Sequence, residues 1–147
     1  MLQCLRFKAI PLCALLQVQS FAKNYGTIST TLRGELVKSI GEKKIADFLY
    51  VNLVKYEYDK EINLGNKVLR PDFYLPTFDT YIEYFGLYYV NDGALRRQYR
   101  KQAAWKTEMY SLYKIKCISL FPDNVRTPYN LSFSLKRFVP YPKLTST

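Results

Sequence analysis

Histidine is absent from the 147 residues. That excludes Ser-His-Asp and Cys-His nucleophile systems, His-ligated metal nucleases, HExxH zinc hydrolases and Cys2His2 fingers. Cysteine is scarce, and Cys4, Cys13 and Cys117 show no CxxC spacing. They suit buried thiols in a reducing compartment better than a disulfide frame or a zinc site. Acid is also short, with 12 Asp and Glu against 22 Lys and Arg, a formal net charge of +10. So large an excess favours an anionic partner, nucleic acid first, although solubility or an acidic protein partner would also account for it. No run of about eighteen apolar residues exists, so the sequence predicts no membrane-spanning helix. Internal repeats and low-complexity stretches are missing too.

What is present is a folding composition. Hydrophobic residues make up 48% and aromatics 16%, which argues for a globule and against disorder. The length fits one domain with a real core. Fourteen tyrosines stand out, although tyrosine serves a core, a groove or a base stack equally well.

The stretch LRPDFYLPTFDTYIEYFGL reads as a tight β-hairpin: Leu69 to Leu75 outward, Pro76 to Thr80 as the turn, Tyr81 to Phe85 returning. Two carboxylates stand inside its apolar arms. Asp72 lies between Arg70-Pro71 and Phe73-Tyr74, and Glu83 between Ile82 and Tyr84. An unpaired buried carboxylate is costly, so two on neighbouring strands suggest a shared cation.

This pattern resembles the PD-(D/E)XK nuclease superfamily, the restriction-endonuclease-like fold. Pro71-Asp72 is similar to its proline-aspartate element and Glu83 to the acid on the following strand, eleven residues later. The family lysine normally stands two residues after the second acid, where this chain has Phe85 on the same strand face.

Ahead of the hairpin, Thr31 or Ser29 is positioned to cap a helix from about Leu32 to Asn52, with Leu36, Ile40, Ile45, Phe48, Leu49 and Leu53 on its apolar face. Glu42 falls on that face, and Lys43 and Lys44 to its sides. An acid in an apolar stripe is commonly a boundary residue or a partner of a nearby base. By the resemblance, Gly41-Glu42 is similar to the glutamate on the family's first helix, which points at the active site. Residues 55–62 alternate as a half-exposed strand, and 63–67 are turn material.

Beyond the hairpin, a helix is expected from about Ala94 to Tyr113. Lys106 shares its inward face with Tyr99, Ala103, Tyr110 and Tyr113, while Arg97 faces the other way. Some branches of the superfamily carry the lysine on this helix. The resemblance therefore makes Lys106 the candidate for the migrated lysine, ahead of Lys101 and Gln102. Arg96, Arg97, Arg100 and Lys101 are either a solvated face or phosphate contacts, and Arg70 could bind a phosphate or hold an acid. Residues 115–121 read as a buried strand that pairs parallel to the Glu83 strand after its crossover helix. Residues 131–138 are a short helix or an edge strand with Lys136 and Arg137 exposed, and the tail from Pro140 is expected to be disordered.

The expected organisation is an N-terminal extension (1–33), a nuclease-like domain (34–139) and a tail (140–147). The extension carries no acid, and its charges are Arg6, Lys8, Lys23 and Arg33. It reads as an ordinary packed element, an organellar transit peptide or a secretory signal, the last lacking an Ala-x-Ala site.

The resemblance, which covers about residues 34–122, implies an α/β fold with an α-β-β-β-α-β core and a mixed central sheet flanked by helices. It implies hydrolysis of phosphodiester bonds, in DNA ahead of RNA and as an endonuclease ahead of an exonuclease. Mg2+, or Mn2+, would be bound by Asp72, Glu83 and the Tyr84 backbone carbonyl, with Glu42 completing the shell directly or through water. Lys106 would orient the attacking water. A homodimer or a larger DNA-processing assembly would fit, in an intracellular setting (cytoplasm or nucleoid) or after organellar import. The alternative is a catalytically inactive nucleic-acid-binding module on the same fold.

Overall fold

The computed structural model describes residues 28–143, so the readings of segment 1–27 and of residues 144–147 lie outside the described residues. Among the described residues no helix is long and apolar enough to cross a membrane. The chain is a mixed α/β protein.

It opens with a small antiparallel pair, β1 (Ser29–Thr30) and β2 (Leu36–Val37), which spans the expected boundary at residue 34. A helix beginning at Leu32 was the sequence expectation. Instead Gly34 adopts φ +92°, a left-handed conformation that stops a helix there, and Thr31 closes the turn through Gly34 N and Glu35 N. Helix α1 (Ile40–Val51) starts later, capped by Ser39 rather than Thr31 or Ser29. Ile45, Phe48 and Leu49 are fully buried as expected. Leu36, Ile40 and Leu53 are exposed, because Leu36 lies on a strand, Ile40 in the first turn and Leu53 past the helix end.

The expected strand over 55–62 is cut to β3 (Glu57–Tyr58), since Asp59 turns the chain with φ +55°. The next residues form a hairpin of their own, β4 (Ile62–Leu64) and β5 (Lys67–Leu69), closed at Gly65 with φ +70°. Arg70-Pro71-Asp72 then links β5 to β6 (Phe73–Leu75), so Asp72 stands just before its strand rather than within it. A short 3-10 turn at Pro76–Phe78 and Asp79 at φ 45° return the chain into β7 (Thr80–Tyr84).

Helix α2 (Gly93–Leu112) is capped by the Asp92 side chain on Leu95 N. It leads to β8 (Cys117–Leu120), which pairs parallel to β7 with Glu83 opposite Ser119. The sheet order is β3-β6-β7-β8, antiparallel except for the β7–β8 pair. β8 was expected to be buried. As the sheet edge it keeps three of its four residues half-buried, and Leu120 alone is fully packed. Among the described residues the last element is α3 (Pro128–Ser134), which resolves the helix-or-strand alternative as a helix and leaves Lys136 and Arg137 exposed. In the tail, Asn52 holds the Lys143 backbone at both its N–H (2.7 Å) and its carbonyl (3.1 Å).

The period-2 alternation of β7 divides the molecule. Ile82 points to the main core with Phe73 and Leu75 of β6, Ile45, Phe48 and Leu49 of α1, and Leu131 and Leu135 from the C-terminal segment. Each fully buried side chain of this kind stabilises the fold by roughly 1.5–3 kcal/mol. The opposite face turns Glu83 towards α2. There a second, smaller cluster forms from Leu69, Met109 and Tyr110, with Ile62, Leu64 and Trp105 around it.

Candidate active site

Glu83 is 3% exposed. Both of its oxygens are engaged by α2. Lys106 Nζ lies 2.5 Å from Oε1, and the Tyr110 hydroxyl donates to Oε2 at 2.7 Å. Positions 106 and 110 are one turn apart, so a single helix face delivers both donors. Burial works against the Lys106 ammonium, but Glu83 and Asp72 outweigh it and hold its pKa above the ordinary lysine value. Lys106 therefore stays protonated. Tyr110 is likewise held in its phenol form, by burial and then by Glu83.

Asp72 reaches the same place from the link just ahead of β6. The register that sets Phe73 opposite Ile82 continues to Asp72 opposite Glu83, and Asp72 Oδ2 accepts from Tyr84 N at 2.7 Å. Burial, then the facing Glu83 and Glu42 carboxylates, push the Asp72 carboxyl well above the ordinary carboxylate range; Lys106 and the Tyr84 N–H offset only part of this. An all-oxygen donor set under mutual repulsion is what a hard divalent cation relieves, so Asp72 and Glu83 fit Mg2+ or Mn2+. Among the described residues no group of three or more His, Cys, Asp and Glu comes together as a ligand cluster. Mg2+ ordinarily takes one or two carboxylates and keeps several waters, which matches a two-acid site.

Glu42 approaches from the first turn of α1. Its oxygens are occupied: Oε1 by the Ser39 hydroxyl (2.9 Å), Oε2 by Lys38 N (3.1 Å) and by the Tyr58 hydroxyl (2.5 Å). Ser39 Oγ in turn accepts from Glu42 N at 3.1 Å. The pattern S-x-x-E thus joins the Ser39 and Glu42 side chains across the first turn, a capping arrangement that gives Glu42 a structural task beside its field on Asp72. Glu42 adds negative potential to the site, and its Oε1, with a single donor, keeps acceptor capacity for a bound water.

Tyrosines enclose these acids. Tyr58 and Tyr99 both have raised pKa values, by burial and then by the carboxylates they face: Glu42 first for Tyr58, Asp72 and Glu83 for Tyr99. Tyr84, pushed up to about 12 by burial and then by Glu42 and Asp72, lays its ring against two glycines. A Cβ on Gly41 would lie 2.2 Å from that ring, and one on Gly86 2.7 Å. Cys117 is next to the site, its thiol raised by burial and then by Glu83 and Asp72.

The basic candidates are less convergent. Arg70 pairs with Glu61 at 2.7 Å, so the acid it holds is not a site acid. Arg100 donates to the Tyr88 carbonyl at 3.2 Å and lies 4.6 Å from the Tyr88 ring centre. Arg97 and Lys101 are exposed, Arg96 and Gln102 half-buried, and none of the three cations makes an ion pair among the described residues. Phe85, at the family's lysine position, is buried between Tyr99 (6.5 Å) and Phe121 (5.7 Å). Tyr113, expected on the inward face, is 42% exposed because it lies beyond the last turn of α2.

Three features escaped the sequence reading. The Ser39–Glu42 cap was legible as S-x-x-E. The Tyr110–Glu83 bond had a signal in the spacing of four from Lys106. The Tyr58–Glu42 bond had none, since it joins β3 to α1. No family model, no curated protein and no solved structure matches this chain.

Proposed function

We propose that this chain is a metal-dependent nuclease that hydrolyses phosphodiester bonds, in DNA ahead of RNA. The observation that carries the reading is the Lys106 ammonium on Glu83, opposite Asp72. The candidate lysine from the second helix and the two candidate acids from the hairpin share one spot, although Phe85 fills the usual lysine position. The element order α1, β3, β6, β7, α2, β8, with a parallel last pair, adds support for a restriction-endonuclease-like core.

Asp72 and Glu83 would hold the cation, which supplies Lewis-acid polarisation of the phosphate and a more acidic bound water. The chain's own groups do the rest. Lys106, kept protonated by its neighbours, places positive charge where negative charge develops on the phosphate oxygens. Tyr110 fixes the Glu83 carboxylate by its second oxygen and so sets the direction of the first. Tyr84, clamped by Gly41 and Gly86, holds Asp72 through its N–H. The net charge of +10 and the cations of α2 favour approach of a polyanion.

A catalytically inactive nucleic-acid-binding module is the second reading. It is favoured by Phe85 in the lysine position and by the lack of a three-ligand cluster among the described residues. The separating experiment is Mg2+-dependent cleavage of linear, circular and branched DNA by wild type, Glu83→Gln and Lys106→Met. The nuclease reading expects each variant to lose about a hundredfold or more in rate while still binding DNA. Wild type that binds tightly and cuts nothing in Mg2+ or Mn2+ would assign the inactive module.

A further inference from the structure

On the flank of α2 away from the acids runs an open groove of about 720 Å3. Its wall is aromatic: Phe85 packs on Phe121 at 5.7 Å, and Tyr88 meets Phe121 edge-on at 4.8 Å. Arg100 stacks its guanidinium on Tyr88 at the rim, while Thr107 and Glu108 stand exposed on the helical side. Phe85 also meets Tyr99 edge-on at 6.5 Å, and Tyr99 in turn faces Asp72 and Glu83, so these two rings connect the groove to the acids.

We propose that this groove receives an unpaired base of DNA beside the scissile phosphate, so that the substrate class is single-stranded or locally unpaired DNA rather than intact duplex. The inference deepens the nuclease reading and rests on it for the position of the cut, though not for the binding itself. The half-buried Tyr88 and Phe121 rings, with Arg100 at the rim, form the platform, Phe85 behind them being only 3% exposed; such a platform accepts any base by stacking, without demanding a sequence. Glu108 offers acceptor oxygens to a base edge, as does the Thr107 oxygen, whose proton goes to the Ala103 carbonyl at 2.9 Å, and Arg96, Arg97 and Lys101 on the same helix supply charge for the flanking phosphates. Charge selects the occupant. Helix α2 carries Glu108 as its one acid against five Lys and Arg, so a second copy laid on this groove would meet a surface of its own sign.

The test is binding without metal, which keeps it independent of cleavage. A single-stranded oligonucleotide with one 2-aminopurine, and its duplex, are titrated at fixed salt against wild type, Ala104→Trp and Tyr88→Ala. Ala104 is exposed on α2 and lines the groove, so a tryptophan there fills it without entering the core. We expect wild type to prefer the single strand and to quench the 2-aminopurine. Each variant should bind that strand about tenfold more weakly, within the range that one lost base stack carries, with duplex binding unchanged. Equal losses for strand and duplex, or no loss in either variant, would overturn the proposal. So would an oligomer in sedimentation that Ala104→Trp dissociates while strand binding is untouched, since the groove would then belong to a second copy. If cleavage fails while the strand preference holds, the nuclease reading falls and the groove stands; the reverse pattern removes the groove alone.

Discussion

The two faces of the β6–β7 pair share strands and differ in every other respect. Towards α1, Phe73, Leu75 and Ile82 meet Ile45, Phe48 and Leu49, all 0% exposed and without a polar atom in their side chains. Towards α2, Glu83 of β7 and Asp72, just ahead of β6, face Lys106, Tyr110 and Tyr99. One face gains from burial without geometric demands. The other holds charge out of water and depends on each partner being in place. Apolar packing and buried charge are thus divided between alternate residues of β7.

That division makes a sharp contrast between neighbours. Ile82→Ala should cost about 2–5 kcal/mol in denaturant unfolding, through lost burial and the cavity left behind, and should change activity only through the folded fraction. Lys106→Met, on the other face, should cost less, about 1–3 kcal/mol. It strips a carboxylate that is 4% exposed of its cation, but the lysine itself is 22% exposed and water can partly substitute. If Lys106→Met proved as stable as wild type, the charged face would not depend on its pairs as argued.

The dry face was largely legible in the sequence and the charged face only in part. Alternation and turn residues located the hairpin, and apolar spacing placed α2 within one residue at each end. The parallel β7–β8 pair followed from the crossover helix. The start of α1 was misplaced because apolar periodicity through Leu32 and Leu36 outweighed two local signals, Gly34 and the Ser39–Glu42 cap. Backbone geometry at Gly34 decided the matter. The β4–β5 hairpin was missed because its strands are three residues each, too short to show a period. Lys106 could be placed on an inward face from spacing alone. Which tyrosines meet which acids could not, since those bonds join elements far apart in the chain and fourteen tyrosines look alike.

Asp72 offers a change of opposite sign. Its folded pKa lies above the ordinary aspartate value of 3.8, so the folded state binds more protons than the unfolded chain. The stability it contributes is fully present below the unfolded pKa and is lost as pH rises through the raised folded one. Unfolding midpoints of wild type should therefore fall across that window relative to those of Asp72→Asn, and above the raised folded pKa the variant should be the more stable. Millimolar Mg2+ should reverse the order. A ligand at a hundredfold excess over its Kd stabilises by about 2.7 kcal/mol, and only wild type has the ionised acid to bind it. A variant that still gains stability from Mg2+ would locate the cation elsewhere.

The smallest expected effect concerns the packing that joins the two faces. Tyr84 follows Glu83, yet its ring lies on the first turn of α1, where a Gly41 Cβ would come within 2.2 Å of it. In an open helix Gly→Ala stabilises by up to about 1 kcal/mol. Here the displaced ring opposes that gain, since overpacking costs roughly 1–3 kcal/mol. Gly41→Ala should therefore be destabilising by about 1 kcal/mol net. It should also reduce cleavage, because Tyr84 carries the N–H that holds Asp72. Combining it with Tyr84→Ala removes the clash and should recover the helix preference, so the two changes should be non-additive by about 1 kcal/mol or more in a double-mutant cycle. Strict additivity would mean that α1 and β7 are not coupled through this ring, and that the charged face is set by the hairpin and α2 alone.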